Sequence, residues 1–116
     1  MASVAHSITF DCADAYTLAQ FWSKVFERPL GDDDFPGDPA AIIELAEGPR
    51  VLFIGVPEGK SVKNRLHLDL ISNTFEAESQ RLAALGASRI RDVTKGSARW
   101  TTFADPEGNE FDLIAG

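Results

Sequence analysis

The sequence predicts an α+β fold: two βαβββ modules paired into a curved mixed sheet with a central cleft. Three observations predict it. Short runs of alternating apolar and polar residues recur along the 116-residue chain. Two amphipathic helical stretches each follow directly on such a run. The order of strand, helix and further strands then appears twice, once in each half of the chain.

"SITFDC" (7–12) puts Ile8, Phe10 and Cys12 on one face and Ser7, Thr9 and Asp11 on the other, the pattern of a half-buried strand. Asp14 is placed to cap the next stretch. Leu18, Phe21, Trp22 and Val25 recur there at helical spacing, and Pro29 ends the pattern. "GDDDFPGDP" reads as a solvated loop. "AAIIELA" (40–46) and "RVLFIGV" (50–56) form a hairpin around residues 47–49. "PEGKSVKN" (57–64) is the one candidate linker, so module one spans about 5–57 and module two about 65–116 of a single domain.

"RLHLDLI" (65–71) alternates Leu66, Leu68 and Leu70 with Arg65, His67 and Asp69. Asn73 and Glu76 have the spacing of a capping box. Phe75, Leu82 and Leu85 give the second helix its stripe, and Gly86 its stop. "ASRIRDV" (87–93), "ARWTTFA" (98–104) and "NEFDLIA" (109–115) read as three more strands. Asp105, Pro106 and Gly108 give "DPEG" the preferences of a type I turn.

Composition excludes several functions. The net charge is -7, and the imbalance lies in residues 1–58, with three basic side chains against ten acidic; residues 59–116 carry eight of each. Binding to nucleic-acid phosphates or to an anionic membrane needs a basic patch, so neither is expected. No apolar run approaches the roughly 18 residues of a membrane helix. A single cysteine, Cys12, and no basic-then-apolar leader point to a reducing cytoplasm. There is no phosphate-cradling glycine loop, no GxSxG elbow and no CxxC pair.

Three stretches, "ITFDCADAYTLAQFWSKVF", "RLHLDLI" and "FADPEGNEFDLI", resemble the vicinal oxygen chelate superfamily. That group includes glyoxalase I, bleomycin and fosfomycin resistance proteins and extradiol dioxygenases, and the small bacterial glyoxalase-like proteins are the subgroup most similar. The resemblance covers nearly the whole chain and implies a homodimer. It also implies where a metal would sit: on the first and last strand of each module. The matching positions are Ser7, seven residues before Asp14; His67; and Asp112, seven after Asp105. In the last strand of module one, "RVLFIGV", the candidates are Leu52 and Ile54, which cannot bind a metal.

That leaves His67 and Asp112 as metal ligands, with Ser7 a poor one. A catalytic site usually has at least three protein ligands, so no cofactor is expected, although a divalent metal can be held if Glu110 or Asp69 supplies a third. The expected function is therefore small-molecule binding without a complete metal site. The alternatives are a metal-dependent lyase, isomerase or dioxygenase, and an interaction module with a filled cleft. His67 is the candidate catalytic residue, suited to proton transfer. Ser7, Thr9, Asp11, Leu52, Ile54, Arg65, Asp69, Trp100 and Glu110 are the candidate ligand-binding residues, with Arg65 a forked donor for an anionic group and Trp100 a stacking wall.

Overall fold

In the computed structural model, residues 2–116 are described, and the chain divides after Gly59 into two compact α+β units. The first contains β1 (Ser7–Cys12), α1 (Ala15–Phe26), β2 (Ala40–Ile43) and β3 (Arg50–Gly55). Its strands run in the order β1-β3-β2, with β1 parallel and β2 antiparallel to β3. The second contains β4 (Asp69–Ser72), α2 (Phe75–Leu85), β5 (Ser88–Lys95), β6 (Ala98–Ala104) and β7 (Glu110–Ala115). Here the order is β4-β7-β6-β5, with β4 parallel to β7 and the rest antiparallel.

In the first unit the helix begins where Asp14 predicts. Its carboxylate accepts from the Thr17 N–H and hydroxyl, at 3.1 and 2.9 Å. The helix stops at Phe26 because Pro29 bars the helical conformation just ahead of it; Glu27 then turns left-handed, at φ 54°. The apolar stripe of α1 is buried. Trp22 lies at its centre, with Phe10 at 5.4 Å and Phe26 stacked at 5.5 Å.

This unit falls one strand short of βαβββ. Only a single bridge, Leu30 to Ile43, stands where the additional strand would run. Loop groups satisfy the outer edge of β2 instead: the Gly31 N–H donates to the Ile42 carbonyl at 3.1 Å, and the Ile42 N–H donates to the Asp34 carboxylate at 3.0 Å. Asp34 is thus half-buried and structural, not a solvated loop charge as the sequence suggested. A side-chain oxygen replaces the carbonyl of a missing neighbour, which a buried-edge donor requires.

In the second unit Phe103 and Phe111 stack at 5.6 Å, and together with Leu82 and Leu113 they form a fully buried core. The "DPEG" turn forms as expected, with the Gly108 N–H donating to the Asp105 carbonyl at 2.9 Å. Gly108 has φ 86°, a conformation that strains any residue with a Cβ.

Two expectations need correction. The Asn73–Glu76 capping box does not form: Thr74 occupies the cap position and makes no side-chain capping bond. Glu76 and Glu78 in the first turn still favour the positive end of the helix dipole. And "RLHLDLI" is not one strand. Only its end, from Asp69, belongs to β4, and Leu66 is 70% exposed where the alternation had put it in the core.

Candidate functional site

The interrupted strand has a visible cause. The Asp112 N–H donates to the Leu68 carbonyl at 3.0 Å, as in a regular parallel ladder. One step back, the Glu110 N–H should reach the Leu66 carbonyl. The amide of Asn64 lies between them instead. Its Oδ1 accepts from the Glu110 N–H at 3.0 Å, and its Nδ2 donates to the Leu66 carbonyl at 2.6 Å. A side-chain amide has one acceptor side and one donor side, so it can be inserted into a ladder without leaving an orphan. Residues 65–67 therefore stand outside β4.

His67 meets two carboxylates there. Its Nδ1 lies 3.0 Å from Asp69 Oδ1. Asp69 pairs in register with Asp112 across β4 and β7. One donor atom from each of His67, Asp69 and Asp112 lies within 4.8 Å of the other two. Asp112 is further fixed by the Thr102 hydroxyl, which donates to its Oδ1 at 2.6 Å. Of the two residues proposed to complete the metal set, the structure therefore brings in Asp69. Glu110 shares the face but is turned to Lys63, with Nζ 2.7 Å from Oε1. That hydrogen bond holds the Glu110 carboxyl below the usual glutamate range; nearby positive charge on Lys63, Arg91 and Lys60 acts in the same direction, and burial opposes it.

The donor set suits a divalent transition-metal ion, for which imidazole and carboxylate are ordinary ligands. Ligand atoms about 2.1 Å from one ion lie about 3 Å apart at right angles, so a modest closing of the three side chains would make a site. An arrangement that keeps the observed contact is also chemically sound: Asp69 orients the ring through Nδ1 and leaves Nε2 for the ion.

Trp100 lies on the same face of the second sheet, two strands from β4, in register with Ile114 and half-buried. Arg65 lines a cavity of about 570 Å³ with Val62, Lys63, Asn64 and His67. The remaining expected residues belong to the first unit. Ser7, Thr9 and Asp11 alternate onto the β1 face turned away from α1, and Leu52 and Ile54 adjoin them in register on β3. The sequence reading missed Asn64, Lys63 and Thr102 as site residues. Asn64 and Lys63 contact Glu110 across 46 and 47 residues of chain, so no local pattern marks either.

The family model described as a Glyoxalase-like domain matches residues 7–114. No curated protein matches the chain. Among solved structures, it is similar to a mutant of the fosfomycin resistance protein FosX from Listeria monocytogenes, complexed with Mn(II) and 1S,2S-dihydroxypropylphosphonic acid; identity is 18%, coverage 100% of this chain and 91% of that one, and the TM-score 0.77. It is also similar to a glyoxalase/bleomycin resistance protein/dioxygenase family enzyme from Burkholderia phytofirmans, at 13% identity, 97% and 98% coverage and a TM-score of 0.79. A third similar structure is the oxidase ChaP-H2, at 13% identity, 100% and 95% coverage and a TM-score of 0.75. At these identities the likeness establishes the fold, and one fold hosts many functions.

Proposed function

The chain belongs to the glyoxalase-like domain family, and we propose that it binds a small molecule at the His67 site of its second unit. The observation that carries this reading is the cavity of about 570 Å³ at His67. Its volume lies within the roughly 300–1,000 Å³ of small-molecule sites. Its lining suits a polar ligand, with hydrogen-bond donors from Lys63 and Arg65 and a ring nitrogen from His67. Asp69 fixes that ring, so the unpaired nitrogen presents a defined lone pair or proton to whatever enters.

A specific observation favours a second reading, in which a divalent cation takes part. His67, Asp69 and Asp112 supply three donors, where the sequence had offered two. A cation held there would act as a Lewis acid on a ligand oxygen. The side chains of His67 and Asp69 are 43% and 51% exposed, so such a site would exchange its ion readily.

One experiment addresses both readings. Wild-type protein and the His67→Ala variant are melted with Mn(II), Ni(II) and Zn(II), and separately with a panel of planar, cationic and carboxylate compounds. A wild-type melting shift that the variant loses is the expected result. A shift with ions identifies the metal-dependent reading, and a shift with compounds alone identifies metal-free binding. A wild-type melting curve that neither set moves would reject the proposed site.

A further inference from the structure

Lys63 lines the cavity, but its ammonium is already engaged. Nζ lies 2.7 Å from one carboxylate oxygen of Glu110, in a pair whose lysine side chain is 64% exposed and whose glutamate is 25% exposed. Glu110 is the first residue of β7, so its backbone is fixed by the sheet. Lys63 lies ahead of β4 outside any strand, with most of its side chain exposed. Lys60 and Arg91 also bear on the same carboxylate. The Glu110 carboxylate is thus paired with Lys63 and lies in the field of two further cations, with Arg65 alongside Lys63 in the cavity wall.

We propose that Glu110 is a built-in anion that occupies Lys63 until the carboxylate or phosphoryl group of a ligand takes its place. The inference rests on the small-molecule reading above and assigns that molecule its charge. A single-contact pair with an exposed lysine is weakly held. A ligand anion offers several acceptor oxygens, which can engage Lys63 and the forked donors of Arg65 together. Glu110 cannot follow Lys63 into the cavity, so the exchange returns its carboxylate to Arg91, Lys60 and solvent. The pair thereby sets a threshold: a neutral ligand cannot displace Glu110, and an anionic one can.

The test uses wild type, Glu110→Gln, Lys63→Met and the double variant. Each is titrated with inorganic phosphate and, separately, with acetate, and the amide signals of residues 62–67 are followed by NMR. The Glu110→Gln variant is expected to bind the preferred anion roughly 1.5–5-fold more tightly, the scale of one exposed ion pair. Lys63→Met is expected to bind it more weakly, and in that background Glu110→Gln brings no gain. The anion that responds distinguishes a phosphoryl from a carboxylate ligand. Wild-type binding with no gain in Glu110→Gln, or a gain that persists without Lys63, overturns the exchange and leaves the small-molecule reading standing. No response from any of the proteins overturns the anion exchange, and the small-molecule reading then stands or falls by the melting experiment. Lys63→Met probes the pair from its exposed side: should Glu110→Gln not fold, anion binding by Lys63→Met as tight as that of wild type overturns the exchange by itself.

Discussion

Replacing Asn64 by alanine removes the amide that separates the His67 segment from β7. Two good hydrogen bonds are lost, at 3.0 Å from the Glu110 N–H and at 2.6 Å to the Leu66 carbonyl. A third, to the Glu110 carbonyl at 3.3 Å, is long enough to add little. At about 1 kcal/mol net for each good bond, the loss is about 2 kcal/mol. For a chain of this size that corresponds to a fall in melting temperature of roughly 6–10 °C. The local signature is sharper. Hydrogen exchange at the Glu110 amide, which loses its acceptor outright, is expected to accelerate by well over the roughly 30-fold that the global loss alone brings. The Asp112 amide, still bonded to the Leu68 carbonyl, accelerates by no more than that global factor. Unchanged protection at Glu110, or equal loss at both amides, would refute the idea that Asn64 acts as a spacer in the ladder.

Three further outcomes follow from the same physical reading. Asp105 is 3% exposed, and its carboxylate accepts from the Glu107 N–H, the Asn109 N–H and the Asn109 side chain; Asp105→Ala should cost about 2–4 kcal/mol in urea unfolding, and a loss under about 1 kcal/mol would contradict its role in holding the turn. Phe103→Ala empties a fully buried ring site against Phe111 and should cost about 3–5 kcal/mol, whereas Leu66→Ser, at an exposed position, should stay within about 0.5 kcal/mol by the same assay. The Glu110 carboxyl titrates below its unfolded value, so its pair with Lys63 contributes stability above the ordinary glutamate range and loses it as pH falls through the depressed value. The melting difference between wild type and Lys63→Met should therefore be present at neutral pH and vanish on acidification; a difference that grows with acid would reverse the assigned sign.

Much of the fold was legible because its signals are local. Asp14 lies three residues from the N–H it caps, and Gly86 directly follows the helix it ends. "DPEG" closes within four residues. Alternation correctly placed Ser7, Thr9 and Asp11 opposite Phe10 and Cys12, since β1 is a regular strand with α1 packed on one side. The errors share an opposite cause. "RLHLDLI" alternates as well as any strand, but Asn64 occupies the ladder position that its first half needed. Asp34 looked solvated because its partner, the Ile42 N–H, lies on a different element. The Asn73–Glu76 spacing fitted a capping box, yet the helix starts one residue later, behind Thr74.

The site divides along the same line. The sequence by itself determined the α+β class, the start of the first helix and the polar face of β1, because each depends on periodicity or on neighbours a few residues away, and the family resemblance of "RLHLDLI" and "FADPEGNEFDLI" made His67 and Asp112 candidates. Only the tertiary structure decided that Asp69 joins those two, that Thr102 fixes Asp112, and that Glu110 is turned to Lys63. These contacts depend on strand register and on side-chain direction across distant segments. A shift of one residue would send each of those side chains to the opposite face, and no local pattern records which register the packed core selects.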